Sequence, residues 1–220
     1  MIRSRWDLSA SESRLWSLVA KRCEPGADKE DLDRRIWDLF GEDWAILWTD
    51  LTGFSRNVAT FGITHFLQII HEQKALFLPL VEKHDGVLVK IEADSLLLLF
   101  RRASSALDCA LAMRAATVGH NLSRPEEEHV LLCCGLGYGR VLRLGDSDVF
   151  GAEVNAASKL GEDVAGTGEI LLTESARTAV GPREGLEYVP VERDVAGQRR
   201  YFRVAASGSS PHASQSLSEA

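Results

Sequence analysis

The 220-residue sequence lacks any apolar run that approaches the roughly 20 residues needed to cross a lipid bilayer. Its first residues, MIRSRWDLSASESRLW, also lack the apolar core and the small-residue cleavage site of a secretory signal. We therefore expect a cytoplasmic protein without a membrane span.

The sequence also lacks an excess of basic residues and lacks cysteines at metal-binding or redox spacing. The 25 lysines and arginines are outnumbered by 32 acidic residues, so the formal net charge is -7. This balance argues against a broad surface for a nucleic acid polymer, although it leaves room for a small basic pocket that binds one nucleotide. The four cysteines show no CxxC spacing, and Cys133 and Cys134 lie within the apolar run VLLCCGLG. We interpret them as small buried hydrophobic residues.

The composition is that of an ordinary globular protein, with 45% apolar and 26% charged residues. Two short helical patterns, beginning near Ser9 or Ser11, predict a helical lead-in over residues 1–41. The main domain is predicted over 42–205, a length that can form one sizeable core. The small polar sequence of residues 206–220 predicts a disordered tail.

The order of the predicted elements indicates the fold class. A strand WAILWT is followed by a long amphipathic helix from Ser55 to His84, which Pro79 is expected to kink. The turn HDGV is followed by the strand VLVKIEA, by a second strand SLLLLF and then by a helix. The segment HVLLCCGLGYGRVLRLG predicts a strand, a hairpin turn at the glycines and a second strand. With a helix AEVNAASKLGEDVA and final strands GEILLTES and RRYFRVAA, this order predicts an α+β sandwich whose helices pack on one antiparallel or mixed sheet.

One apolar strand ends abruptly in an acid. In WAILWTDLTGFS, the strand carries Asp50 to its end and then turns at Gly53, an arrangement that can hold a metal ion. A turn residue that caps the next helix is the alternative interpretation of Asp50 alone. A second carboxylate, Asp94, lies near the corner between two later strands.

Four motifs together resemble a known family. TDLTGFS, KIEAD, GLGYGRV and DVFGAEVNAASKL resemble, in order and approximate spacing, the catalytic domain of the class III adenylyl and guanylyl cyclases over roughly residues 42–205. The resemblance implies a ferredoxin-like sandwich with a mostly antiparallel central sheet. It also implies an adenylate cyclase, a lyase of signal transduction that converts ATP to 3',5'-cyclic AMP and pyrophosphate.

The resemblance implies a metal site at Asp50, Asp94 and the backbone carbonyl of Leu51, with two Mg²⁺ or Mn²⁺ ions per site. Attack of the ribose 3'-hydroxyl on the α-phosphate needs charge neutralised on the nucleophile, the phosphate and the leaving pyrophosphate, and two divalent ions do this. Magnesium prefers hard oxygen ligands, so two carboxylates suffice when phosphates and water complete the shell.

The substrate residues follow from the same resemblance. The free N–H groups of Gly53, Phe54 and Ser55 at a helix start are expected to cradle the triphosphate. Lys90 and Asp148 match the pair that reads the base. Lysine donates to a ring nitrogen of adenine and aspartate accepts from its amino group, which favours ATP over GTP.

Asn155 matches the asparagine that orients the ribose, and Lys159 stands where the family usually has an arginine that stabilises the transition state. Lysine keeps the positive charge but lacks the planar guanidinium group with which arginine holds two phosphate oxygens at once, so we expect slower turnover. Ala93 replaces the usual glycine before the second aspartate. The late phosphate-binding lysine is replaced by Gln198 or Arg199, and Arg199 is the candidate to serve in its place.

In this family the metal aspartates come from one chain, while the base, ribose and transition-state residues come from the other. The resemblance therefore implies a head-to-tail homodimer with two equivalent sites. The alternative is a cyclase-like nucleotide-binding or regulatory module that makes little product, which Lys159 and Ala93 favour. A guanosine or pyrimidine triphosphate as substrate is a third option.

Overall fold

The computed structural model describes residues 10–191 and 200–208, without the side chains of residues 54–57. The helices are α1 (Ala10–Arg22), α2 (Lys29–Phe40), α3 (Phe54–Phe61), α4 (Ile63–Lys83), α5 (Ala103–Asn121), α6 (Ala152–Lys159) and α7 (Glu174–Val180). The strands are β1 (Gly41–Leu51), β2 (Val87–Glu92), β3 (Ser95–Phe100), β4 (Leu132–Leu144), β5 (Asp148–Phe150), β6 (Ile170–Thr173), β7 (Leu186–Val191) and β8 (Tyr201–Ala206). In the described part of the chain, no helix combines the length and the apolar character needed to cross a membrane.

The strands form one eight-stranded sheet in the order β2-β3-β1-β4-β6-β8-β7, and β5 pairs with the end of β4. The β4–β6 pair is parallel and the other pairs are antiparallel. Helices cover both faces of this sheet, so the predicted α+β sandwich with a mostly antiparallel sheet is confirmed.

The central strand β1 explains why its sequence reads as a continuous apolar run. Ala45 and Leu47 face the core formed with α4 and α5, whereas Trp44, Ile46 and Trp48 face the cluster that includes α6. Side chains alternate between the two faces of a strand, so a strand covered on both faces must be apolar at every position. The continuous run therefore identifies the middle of the sheet.

The predicted hairpin turn in GLGYGR is wrong. Strand β4 runs unbroken through these glycines, because it pairs with β1 along its whole length, from Gly41 opposite Leu142 to Leu51 opposite Leu132. Glycine in a strand also occurs where another part of the backbone approaches closely. That is its use here, since a Cβ on Gly135 would lie 2.0 Å from the backbone oxygen of Ala157 in α6.

The long helix predicted from Ser55 to His84 is interrupted. Gly62 has φ +84°, a conformation that glycine adopts at little cost, and it separates α3 from α4. Helix α4 then continues through Pro79 to Lys83. The break allows α3 to begin just after Leu51, the last residue of β1, while α4 packs along the sheet.

The predicted lead-in helices are present as α1 and α2. They share a small apolar cluster with the end of β4, formed by Leu15, Leu18, Leu32, Ile36, Phe40 and Leu144. Asp28 precedes α2 and caps it, because its side chain accepts a hydrogen bond from the N–H of Asp31 at 3.0 Å. Ser9, Gln198, Arg199 and most of the predicted tail, residues 209–220, lie outside the described residues.

Candidate active site

The chain turns sharply after Asp50. Strand β1 keeps its pairing with β4 to Asp50 and Leu51, opposite Cys133 and Leu132, so the Asp50 carboxylate is held by a paired strand. Gly53 then takes φ +89°, and α3 begins at the next residue. Gly53 precedes the helix and has no side chain to cap it, and the first backbone N–H groups of a helix have no partner within the helix and attract anions.

Asp94 lies in the two-residue loop between β2 and β3. The pair Glu92 and Ser95 closes the loop, and Ala93 has φ +52°. A residue with a side chain adopts this left-handed conformation at a cost of roughly 1–2 kcal/mol. The corner therefore keeps the geometry that a glycine would take, and Asp94 remains in its place with 8% exposure.

Two hydrogen bonds hold the carboxylates beside each other. The Ser95 hydroxyl donates to Oδ1 of Asp50 at 2.7 Å, which joins the start of β3 to the end of β1. The side-chain amide of Gln73, a buried residue of α4, donates to the backbone oxygen of Asp94 at 2.7 Å. Ser95 and Gln73 were not predicted from the sequence, although the serine directly follows Asp94.

The electrostatics of the pair favour a cation. Burial, reinforced by the charge of Asp50, raises the pKa of Asp94 to about 6. Burial also raises the pKa of Asp50, and hydrogen bonds from Ser95 and from the Leu51 backbone oppose the shift. Two carboxylates that are shielded from water and repel each other are stabilised by a divalent ion between them.

The donor set fits a magnesium-type ion. The two carboxylates offer hard oxygen atoms, and the described residues contain no cluster of three or more His, Cys, Asp or Glu side chains that could hold a metal ion. A site with only two carboxylates needs phosphate oxygens and water to complete the shell, as magnesium sites that bind substrate phosphates do. The site thus suits a metal that arrives with a nucleotide.

Replacing Asp94 with asparagine is expected to stabilise the metal-free protein at pH 8 by up to about 3 kcal/mol. The pKa of Asp94 is about 6 in the folded protein, whereas an aspartate without these interactions, as in the unfolded chain, has a pKa of 3.8. Protonation of Asp94 therefore favours folding. This contribution is full below pH 3.8 and is lost as the pH rises through 6. Urea unfolding in EDTA at pH 4, 6 and 8 measures the difference between the variant and the wild type.

The gain from this substitution should shrink towards zero at pH 4, where Asp94 is protonated. Asp108→Asn is the matched control, because Asp108 pairs with Arg183 at 2.6 Å away from this site. A gain that does not change between pH 4 and pH 8 would contradict the raised pKa.

A bulge in β2 decides where Lys90 points. Leu88 pairs with Leu98, but Lys90 pairs with Leu97, so Val89 is the extra residue. Leu98 belongs to the core under α4 and α5, whereas Leu97 belongs to the cluster that includes α6. Strict alternation would place Lys90 on the same face as Leu88, and the bulge moves it to the α6 face.

On that face Lys90 meets Asp148. The Lys90 ammonium lies 3.8 Å from Oδ2 of Asp148, at the start of β5, and 2.6 Å from Oε1 of Glu92. The hydrogen bond that Lys90 donates to Glu92 and the charge of Asp148 raise the pKa of Lys90. The structure therefore brings the two predicted base-reading residues together, and Glu92 is a neighbour that the sequence did not indicate.

Helix α6 carries Asn155 and Lys159 one turn apart, and both side chains are exposed. The opposite face of the helix buries Val154, Ala156 and Ala157 against the sheet. Lys159 is the last α-helical residue before a π-helical turn, Leu160–Val164. Both polar residues thus point away from the sheet and are free to reach a bound molecule.

No family model matches the chain. Among curated proteins, "Putative adenylate cyclase 3" of Rhizobium meliloti (strain 1021) is 29% identical over 161 residues, which is 73% of this chain and 26% of that protein. "Serine/threonine-protein kinase pkn2" of Myxococcus xanthus is 30% identical over 138 residues, which is 63% of this chain and 16% of that protein. The chain therefore spans about a quarter or less of the length of these relatives.

Solved structures match over most of the chain. The adenylate/guanylate cyclase/hydrolase from Silicibacter pomeroyi has a TM-score of 0.65 at 25% identity, with 74% of this chain and 95% of that chain covered. The adenylyl cyclase CyaB from P. aeruginosa has a TM-score of 0.62 at 17% identity, with 76% and 95% covered, and shows the fold alone. Fold and motifs agree, and the predicted resemblance is confirmed: the described residues take the fold of the class III adenylyl and guanylyl cyclase catalytic domains.

Proposed function

We propose that the protein is an adenylyl cyclase that converts ATP to 3',5'-cyclic AMP and pyrophosphate. The observation that carries the proposal is the Asp50–Asp94 carboxylate pair, which two elements distant in sequence bring together beside the start of α3. Two Mg²⁺ or Mn²⁺ ions bound there would neutralise charge on the ribose 3'-oxygen, the α-phosphate and the leaving pyrophosphate. Asp50, Asp94 and the backbone carbonyl of Leu51 are the proposed ligands.

The remaining residues bind and orient the substrate. The backbone N–H groups of Gly53, Phe54 and Ser55 are assigned to the triphosphate, because a helix start attracts anions. Arg199, in the stretch before β8, is assigned to the same phosphates. All of these roles concern positioning and charge, which supply most of the catalysis in phosphoryl transfer.

The base and ribose are assigned to the α6 face of the sheet. Lys90 would donate to a ring nitrogen of adenine and Asp148 would accept from the amino group. Asn155 would orient the ribose, and Lys159 would place its positive charge on the phosphate in the transition state. The 3.8 Å approach of Lys90 to Asp148 supports one recognition site for a base.

A head-to-tail homodimer would complete each site, with the metal ligands from one subunit and the base, ribose and transition-state residues from the other. Exposed apolar side chains support a subunit contact on this part of the surface. They are Phe61, Ile63 and Leu67 of the α3–α4 segment and Leu88 and Ile91 of β2, all more than a third exposed. Exposed apolar surface is common at protein interfaces.

The proposal is tested by incubating the purified protein with ATP and either Mn²⁺ or Mg²⁺ and separating the products by chromatography. The expected products are cyclic AMP and pyrophosphate in equal amounts. Chelation of the metal should stop the reaction. A sample that folds and binds metal but releases no cyclic AMP would contradict the proposed activity.

Exchanging Lys90 for glutamate and Asp148 for cysteine, the pair found in guanylyl cyclases, is expected to lower kcat/KM for ATP on the order of 10²-fold, because two base contacts are lost. The same exchange should raise the use of GTP relative to ATP, since the new pair suits the guanine edge. Initial rates with each nucleotide measure the ratio. A wild type that already prefers GTP or CTP would contradict the assignment of the base pocket.

A second function has specific support. Lys159 lacks the planar fork that holds two phosphate oxygens, and loss of one such donor costs on the order of 10²- to 10³-fold in rate. A nucleotide-binding or regulatory module with little turnover would therefore keep the same site. Tight ATP binding without product release would favour this module over the enzyme.

A further inference from the structure

Glu153 lies on the first turn of α6, two residues before Asn155, and its carboxylate is engaged on both oxygens. Oε2 accepts from the backbone N–H of Tyr138 in β4 at 3.1 Å and from the hydroxyl of Thr173 at 2.8 Å. Oε1 accepts from the hydroxyl of Ser175 in α7 at 2.7 Å. One side chain thus joins α6 to β4, to the end of β6 and to α7.

This carboxylate occupies a gap in the sheet. The parallel pairing of β4 with β6 ends at Leu136 opposite Leu172, so Tyr138 has no strand partner on that side. Glu153 supplies the missing acceptor for its part-buried N–H. The Thr173 hydroxyl, in turn, accepts from the N–H of Ala176 and caps α7.

The large apolar contacts near α6 lie beyond its last residue. The helix itself buries the smaller side chains Val154, Ala156 and Ala157, whereas Leu160 and Val164 are buried in the π-helical turn that follows, so the first turn of the helix depends more on polar contacts. It lies directly on the glycines of β4: a Cβ on Gly137 would lie 2.6 Å from the backbone oxygen of Glu153. This close approach sets the distance between the helix and the sheet. Glycines have no side chains that interlock with the helix, so they do little to fix its rotation about its own axis.

We propose that Glu153 is a positioning residue that fixes the rotation of α6 and so aims Asn155 and Lys159 at the substrate. The inference rests on the proposed function and deepens it. Residues 153 and 155 are about 200° apart around a helix, so they lie on nearly opposite faces. Because the helix is rigid, bonds that hold residue 153 on the inner face also fix the direction of residue 155 on the outer face. A rotation of about 10° moves a side-chain tip by roughly 1 Å, and such a misplacement costs on the order of 10²-fold in rate.

The test compares Glu153→Ala with Glu153→Gln. The alanine variant is expected to lower kcat by about 10- to 100-fold and to change KM by less than about twofold, because the ribose and transition-state contacts act mainly in the chemical step. The glutamine variant should recover kcat to within about threefold. Its carboxamide oxygen accepts the bonds from Tyr138 and Thr173, and its NH₂ group donates to the Ser175 hydroxyl, which can also accept.

Glu72→Ala is the matched control. Glu72 of α4 is also a partly buried glutamate, on the other face of the sheet, and it pairs with His120 of α5 at 3.0 Å and with Arg124, after the end of α5, at 3.3 Å. It should lower the melting temperature without lowering kcat. An equal loss of kcat in both alanine variants, or no rescue by glutamine, would overturn the positioning role.

Hydrogen–deuterium exchange separates this inference from the proposed activity. Residues 152–164 should exchange at least about tenfold faster in Glu153→Ala than in the wild type, and at the wild-type rate in Glu72→Ala and Glu153→Gln. Unchanged exchange in Glu153→Ala would overturn the inference even if the enzyme is active. A wild type that makes no cyclic nucleotide would overturn the proposed function, while the exchange result would still decide whether Glu153 fixes α6.

Ser175→Ala is the milder variant if Glu153→Ala does not fold. It removes one of the three bonds to the carboxylate and should lower kcat by about two- to fivefold at unchanged KM. Wild-type kcat in Ser175→Ala together with wild-type exchange over residues 152–164 would overturn the inference.

Discussion

Replacing Asp50 or Asp94 with alanine is expected to reduce cyclic AMP formation by about 10³-fold or more. Each carboxylate is a proposed metal ligand, and metal ions contribute several kcal/mol of charge stabilisation, where 1.4 kcal/mol corresponds to tenfold in rate. Initial rates with ATP and Mn²⁺ measure the loss. Normal turnover in either variant would contradict the assignment of the metal site.

The fold should survive both substitutions. Neither carboxylate belongs to an apolar cluster, so far-ultraviolet circular dichroism should match the wild type. Asp108→Ala is the matched control, since it removes an ion-paired aspartate with no role in the site and should keep wild-type activity. Mn²⁺ with ATP should raise the melting temperature of the wild type and of Asp108→Ala more than that of the Asp50 and Asp94 variants.

Mixing two inactive variants, Asp94→Ala and Asn155→Ala, is expected to restore about a quarter of the wild-type activity. In a mixed dimer one site contains both lesions and the other contains none, because the proposed dimer takes the metal ligands and the asparagine of each site from different subunits. Random pairing makes about half of the dimers mixed, and each has one intact site of two. The cyclic AMP rate of the equimolar mixture, at constant total protein, measures the recovery.

Asp50→Ala mixed with Asp94→Ala is the control for complementation. Both lesions then affect proposed metal ligands of the same subunit type, so each site of a mixed dimer carries one lesion and no activity should return. A pull-down with one tagged variant establishes that subunits exchange. An inactive Asp94→Ala and Asn155→Ala mixture with proven exchange would exclude the shared site and strengthen the binding-module alternative.

Local sequence patterns determined much of the site. The strand that ends at Asp50, the turn at Gly53 and the corner that carries Asp94 were predicted and are present. The one-turn spacing of Asn155 and Lys159 on α6 follows from helical periodicity in the same way. These features depend on residues close together in the chain, so apolar periodicity and turn residues suffice to predict them.

Glycine patterns were less informative, because glycine serves several backbone needs. The glycines of GLGYGR predicted a turn, yet they lie in an unbroken strand where α6 approaches the backbone. Gly62 was not predicted to end a helix, yet its positive φ separates α3 from α4. Whether a glycine permits a turn or a close approach depends on what packs against it, which the sequence alone does not state.

Only the tertiary structure decided which distant side chains meet. The bulge at Val89 turns Lys90 to the α6 face, where it lies 3.8 Å from Asp148, and no local pattern in β2 predicts that extra residue. The Glu153 carboxylate likewise finds Tyr138 only because the β4–β6 pairing ends two residues earlier. Bulges and the ends of ladders arise from the pairing of strands far apart in sequence, so they become visible only when the whole sheet is assembled.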